Sequence, residues 1–315
     1  MGAGGGAGTK RRGRRGSFAA ISRALLARGL LASGLLAVAV TFQVAPARAG
    51  GGNNGNVSEP ARAVVELFTS QGCAACPPAD HSIGRYADDP SVVALTYPVD
   101  YWDYLGWTDT LASRVNSARQ FAYANGRGDR SIYTPQLVID GNGVLVGGDD
   151  VALGRRVAQA VSSDVLPVAI SIRASDEAVH IHVAAATPGA PVSPATVWLV
   201  SMLPSVSVMV HGGENDGREL FYRNVVRGIR AIGMWNGSAV EIDLPVSEID
   251  EKGELPPDMP GTAAEGDRSG KASRCAVLLQ ADVDGKPGRI LGASWTEIDA
   301  ATRGGDMPTG PVMAR

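Results

Sequence analysis

The hydrophobic period of this chain changes once, at Leu166, and that change limits the folds open to it. Before it, short apolar runs alternate with helical segments. "AVVELF" (63–68) and "VVALTYPV" (92–99) are strand-length and continuously apolar, the pattern of strands covered on both faces. Ile83, Tyr86 and Ala87 fall at helical spacing, and Leu111, Val115, Ala118 and Ala122 predict the inward face of a longer helix. "QLVID" and "VLVGG" read as a hairpin about Gly141-Asn142-Gly143, and a helix over 150–162 closes the unit. The order β-α-β-α-β-β-α calls for a parallel strand pair joined by a helix, followed by an antiparallel hairpin. Beyond Leu166 the period is two: "VAISIRA", "AVHIHVAAA", "TVWLVSML", "VSVMV", "AVEIDLPV", "CAVLLQADV" and "ILGASWTEI" are separated by Pro, Gly and Asp. They predict an all-β sandwich-like domain, interrupted by a helical stretch around "YRNVVRGIRAIG". The expected organisation is an α/β domain at 61–166 and a β-sandwich domain at 167–300. A disordered insertion at 250–274 and a flexible tail at 301–315 complete it.

Residues 1–49 hold eight basic residues and no acidic one. A basic stretch from Lys10 to Arg28, an uncharged run from Gly29 to Ala47, and Ala47 and Ala49 at the small positions of an A-x-A site read as an export signal cleaved after Ala49. A retained membrane anchor is the rival reading, because the run nears the length of a span. Ser33, Gly34, Thr41, Gln43 and Pro46 dilute it and favour cleavage. Without this segment the chain carries 21 basic and 32 acidic residues, a net charge of −11. That balance argues against nucleic acid, whose binding rests on phosphate neutralisation by Lys and Arg. Residues 50–60 form a Gly/Asn linker. A periplasmic or extracellular location lets disulfides persist, but three cysteines are too few for a disulfide framework.

Two of the three, Cys73 and Cys76, stand in "FTSQGCAACPPAD" (68–80), between a strand and a helix. As a staple the pair would close four residues and contribute about 2 kcal/mol, little beside a longer loop. As a zinc site it has His81 at knuckle spacing, but Tyr86 falls where the last ligand would be and Cys275 lies in the other domain. Two thiolates could hold Cu(I). The redox reading gains from position, since the amides and dipole of a helix N-terminus stabilise a thiolate at Cys73. Cys73 would then attack a substrate sulfur and Cys76 resolve the mixed disulfide. Pro77 and Pro78 lack N–H groups at little cost within a first helical turn.

Thr134-Pro135 precedes the third strand, where a proline suits an edge or a cis turn. Strand-CxxC-helix, this proline and the element order together resemble the thioredoxin superfamily. That resemblance implies that Pro135 is cis, that its loop faces the C-x-x-C, and that the Thr134 backbone pairs with a substrate chain. "VELFTSQGCAACPPAD", "PVDYWDYLGWTD", "SIYTPQLVIDG" and "GGENDGRELFYRNVVR" are, in that order, similar to a secreted bacterial thioredoxin-like family catalogued as domain of unknown function 1223, over residues 61 to about 298. The resemblance implies an exported protein with a thiol-disulfide role. The chain departs from it in Gly213, where an arginine usually opens the G-E-N motif, and in the 250–274 insertion.

"DYWDYLGW" (100–107) follows the second parallel strand and is expected at the same sheet edge as Cys73. Asp100 or Asp103 could relay a proton during exchange. Tyr101, Trp102, Tyr104 and Trp107 could form an apolar wall for a protein substrate, or simply pack their own loop. His180 and His182 share a strand face, and His211 stands near Glu214 and Asp216; these read as solvated strand and turn residues rather than a metal site. Cys275 reads as a buried small hydrophobe. The leading expectation is thiol-disulfide exchange with protein thiols of the cell envelope, with no cofactor, no nucleic acid, and the membrane only through an uncleaved signal. The alternatives are a non-catalytic envelope binding or scaffold protein with a structural or vestigial C-x-x-C, and a Cu(I)-binding protein.

Overall fold

β1 (Ala63–Thr69) and β2 (Val92–Pro98) are buried along their whole length and pair in parallel, Ala63 opposite Val92 through Thr69 opposite Pro98. Strands covered on both faces feed two cores, so their side chains alternate between them. Ala63, Val65 and Leu67 join Ala79 and Ile83 of α1 (Pro77–Gly84) and Leu153, Val157 and Ala160 of α3 (Asp150–Ser162). Val64 and Phe68 face the other way, with Tyr123 of α2 (Arg114–Arg127). β3 (Gln136–Ile139) runs antiparallel to β1, and β4 (Gly143–Val146) antiparallel to β3. The computed structural model describes residues 57–163, 165–175, 177–249 and 273–298. The expected export signal, the start of the linker, most of the 250–274 insertion and the C-terminal tail lie outside the described residues.

The chain continues through β5 (Ile170–Ala174), β6 (Ala178–Val183), β7 (Ala195–Met209), β8 (Glu219–Trp235), β9 (Val240–Pro245), the short α4 (Val246–Ile249), β10 (Ser273–Val283) and β11 (Lys286–Ile298). β5, β6 and β9 make a three-stranded sheet. It packs Ile170, Ile172, Val179 and Ile181 against Val197, Leu199, Val277 and Leu279 of β7 and β10. The other strands form one eight-stranded sheet in the order β11-β10-β7-β8-β2-β1-β3-β4.

The boundary expected at 166/167 therefore does not divide the sheet. β8 lies parallel beside β2 with Thr96 opposite Val225, and the Thr96 hydroxyl donates to the Arg223 carbonyl at 2.8 Å. An edge at β2 would leave a row of unpaired backbone groups, and β8 covers part of it. The described end of the linker is also tied down: Val57 bridges to Arg173, and Ser58 N donates to the Ile172 carbonyl at 2.8 Å. Two element assignments change. "YRNVVRGIRAIG" is not helical but lies within β8, and "TVWLVSML" and "VSVMV" are one strand, β7, running through Pro204. β10 pairs with β7 only as far as Met202, so the missing donor of Pro204 falls beyond that ladder.

The face of α2 is also reversed. Val115 and Ala118, expected inside, are exposed, while Asn116, Ser117, Arg119, Gln120 and Tyr123 are buried. The reason is Glu66, whose side chain is wholly buried in the middle of β1. Arg119 Nε donates to Glu66 at 2.6 Å and Tyr123 Oη donates at 2.5 Å. Gln280 of β10 accepts from Arg119 at 3.2 Å and donates to Tyr123 Oη at 2.8 Å. Burial works against the guanidinium charge, yet Glu66 beside it holds the Arg119 pKa above its ordinary value. Arg119→Met leaves a buried carboxylate without its cation and should lower unfolding free energy by about 3–5 kcal/mol. Adding Glu66→Met should restore most of that loss, as measured by denaturant unfolding of the three variants.

Candidate active site

β1 ends at Thr69, and the next seven residues turn the chain into α1. Cys73 N–H donates to the Ser70 carbonyl and Cys76 N–H to the Cys73 carbonyl, which folds the segment into consecutive tight turns. The two cysteines are joined as a disulfide, with Cα atoms 5.5 Å apart. Cys76 is the N-cap of α1, and Pro77 and Pro78 follow at its first positions, where no intrahelical donor is required. Cys73 Sγ lies 3.8 Å from the Thr134 carbonyl oxygen, and the Thr134–Pro135 peptide is cis. Two separate stretches of sequence thus meet at the C-terminal end of β1. The disulfide is covered, with Cys73 2% exposed and Cys76 not exposed at all.

The loop after β2 packs around this segment through polar contacts. Trp107 Nε1 donates to Gln71 Oε1 at 2.7 Å, and the Trp107 ring meets His211 edge to face. Tyr101 Oη donates to Gln120 at 3.1 Å, and burial pushes its pKa up to about 12. Trp102 is half-buried, with its backbone and Cβ against Gly72. Tyr104 projects into solvent. Asp100 is held by Ser117, whose hydroxyl donates to it at 2.5 Å, and Asp103 accepts from the Asp109 N–H at 3.0 Å. These partners, one on α2 and one farther along the loop, occupy both aspartates. Gln120 also donates to the Tyr133 carbonyl at 2.8 Å, so α2 holds the Pro135 loop as well.

Two further carboxyls sit closer to the cysteine segment. Asp109 accepts from Gln71 N–H at 2.8 Å and from the Leu111 and Ala112 N–H groups at 2.9 and 3.1 Å. Burial outweighs these donors and raises its pKa to about 6. Asp80, one helical turn beyond Cys76, is buried with neither oxygen in a hydrogen bond among the described residues. Burial holds it well above the carboxylate range, and the Asp109 charge adds to it. Sequence reasoning passed over both. The i+4 spacing from Cys76 to Asp80 was the available signal, since it puts the two on one helical face.

The last contributor comes from the far half of the chain. The long β7–β8 hairpin buries Val206, Val208, Leu220 and Tyr222 around Leu111 and reaches over the cysteine segment. At its tip, in the 3-10 turn Gly213–Asn215, Asn215 is fully buried and donates through Nδ2 to the carbonyls of Gln71 and Cys73, both at 2.9 Å. The Glu214 carboxylate accepts the Ala74 N–H at 2.9 Å. Gly213 has a φ of +68°, a left-handed conformation that favours glycine. His180 pairs with Asp243 at 2.7 Å and His182 with Glu241 at 2.6 Å, on the exposed face of β6 and β9 far along the chain from this cluster. Among the described residues no group of three or more His, Cys, Asp or Glu is placed to hold a metal ion, and no helix is long and apolar enough to cross a membrane.

Because Asp109 is protonated more readily in the folded than in the unfolded chain, its stabilising share is complete below the ordinary carboxyl pKa and is lost as pH rises to about 6. Denaturant titrations should show Asp109→Asn gaining on the wild type by about 2 kcal/mol between pH 4 and pH 7, with no further change above. A constant difference across that range would contradict the assignment.

The family model described as "Protein of unknown function (DUF1223)" matches residues 64–255. No curated protein matches the chain. The X-ray crystal structure of an Agrobacterium tumefaciens protein is 34% identical over 75% of this chain and 93% of that one, with a TM-score of 0.60. HBP35 of Porphyromonas gingivalis is 12% identical over 81% of this chain and 80% of its own, with a TM-score of 0.51, a likeness of fold alone. With the family model spanning more than half of its residues and a relative at this level of identity, the chain belongs to the DUF1223 family.

Proposed function

We propose that this chain is an exported thioredoxin-like protein that exchanges disulfides with protein thiols through Cys73 and Cys76. One observation carries the reading: the cysteines are paired at the junction of β1 and α1, with the Thr134 carbonyl against Cys73 Sγ. In the exchange, the reduced Cys73 thiolate attacks one sulfur of a substrate disulfide. The substrate S–S bond breaks, and its leaving sulfur takes up a proton. Cys76 then attacks Cys73 Sγ, closing the Cys73–Cys76 bond and releasing the second substrate sulfur as a thiol. Two electrons pass from the pair to the substrate, and the two thiol protons of the pair balance those on the products. The exposed Tyr104 and the half-buried Tyr101, Trp102 and Trp107 offer apolar surface beside the pair to a polypeptide. Asp100 and Asp103 stay within reach of a relay only if Ser117 and the Asp109 amide release them. Asp109 bonds the cysteine segment directly.

The burial of both cysteines favours a second reading, in which the disulfide is a staple that shapes the docking surface for Asn215. Trapping separates the two. Cys76→Ala in the full chain should accumulate mixed disulfides on Cys73 with envelope proteins, and Cys73→Ala should accumulate none. If neither variant traps a partner and reduction only lowers the melting temperature, the staple reading holds.

A further inference from the structure

We infer that Glu214, carried by the tip of the β7–β8 hairpin, sets the redox bias of the cysteine pair by placing a negative charge on the Ala74 amide beside Cys73. The inference rests on the exchange reading and names the half of the chain that controls it. Ala74 N–H is the first amide after Cys73, and amides at this junction are the donors that stabilise a thiolate. Glu214 Oε2 takes that donor at 2.9 Å. The carboxylate thus occupies a donor at this junction and places a like charge beside the cysteine segment. Both effects disfavour the ionised sulfur.

The position of Glu214 is enforced rather than incidental. Asn215, its neighbour, is wholly buried and bonds two carbonyls of the cysteine segment, and Asn215 Oδ1 is itself held by Arg218 Nη1 at 2.6 Å. Arg218 is thereby directed to the tip and not to the cysteines. The other titratable groups facing the segment are Asp109 on the Gln71 amide, Asp80 on α1, and His211 against Trp107. Among the described residues no Lys or Arg side chain hydrogen-bonds residues 71–76, and Arg218 at the tip is engaged by Asn215. A pair whose thiolate is disfavoured holds its disulfide more firmly and, once reduced by a dithiol donor, gives its electrons more readily to a substrate disulfide. The hairpin thereby biases the protein toward reduction of its substrates.

Glu214→Gln keeps an acceptor for the Ala74 N–H and removes the charge. In the full chain, the Cys73 pKa read from thiolate absorbance should fall by about half a unit, a threefold change suited to an exposed carboxylate. The equilibrium with glutathione should move about threefold toward the dithiol at a pH where Cys73 is ionised in both proteins, and not at all where it is protonated in both. A purely structural role would shift the equilibrium equally at both pH values, and that outcome, like an unchanged pKa, overturns the inference. If the variant does not fold, the wild type supplies the measurement. Screening of Glu214 by salt should lower the Cys73 pKa between about 0.01 and 1 M ionic strength, and a flat response overturns the inference. Mixed-disulfide trapping is a separate readout. Partners trapped without a pKa shift leave exchange standing and sink the role of Glu214, while a pKa shift without partners does the reverse.

Discussion

Burying the charge of Glu66 is the constraint on which the rest of this structure depends. A carboxylate in the middle of a central strand cannot remain there without a cation and further donors, because the desolvation of an unpaired charge is several kcal/mol. Arg119 and Tyr123 meet that demand, and both lie on α2, so the helix must turn its polar stripe inward. Gln280 completes the set from β10, which draws the C-terminal strands over the same core. The stripe continues to the site: Ser117 holds Asp100, and Gln120 holds both Tyr101 and the carbonyl of Tyr133. One buried charge thereby orients the helix that positions two of the loops around the disulfide.

The C-terminal half shares the central sheet and reaches the cysteine segment. Its longest hairpin contributes a strand to the central sheet beside β2 and carries its tip to the cysteine segment. A second polar cluster fixes this arrangement from behind. Arg274 of β10 donates to Asn224 at 2.9 Å, to Asp88 at 2.7 Å and to Glu297 at 2.5 Å, while Arg223 holds Asp88 through both oxygens. Asn224 in turn donates to the carbonyls of Ala87 and Ala94, which pins the turn between α1 and β2 to β8.

Local pattern was enough to read the first half of the chain element by element. β1, β2, the β3–β4 hairpin and α3 stand where apolar runs, the Gly141-Asn142-Gly143 turn and helical spacing put them. The meeting of Cys73 with Thr134 was also legible, from strand polarity and a resemblance. What escaped was set by distant partners. Apolar spacing on α2 pointed to the wrong face because Glu66, 53 residues away, decides which face is buried. β8 carries Val and Ile among Arg in a way that mimics a helix, and only its pairing with β7 and β2 makes it a strand. Asn215 and Glu214 looked like turn residues because nothing local announces that the tip lands on residues 140 to 144 positions earlier.

Cys275 stands apart from all of this. It lies in β10 with no exposed surface, and burial pushes its thiol up to about 12, so it is a protonated, inaccessible sulfur at any physiological pH. Thiolates, not thiols, carry out exchange. The chain therefore keeps its third sulfur apart from the Cys73–Cys76 disulfide, and neither scrambling nor mistaken pairing can begin without opening the β7–β10 ladder. Its first appearance to a thiol reagent marks the loss of the shared sheet, which makes Cys275 a built-in witness to global unfolding.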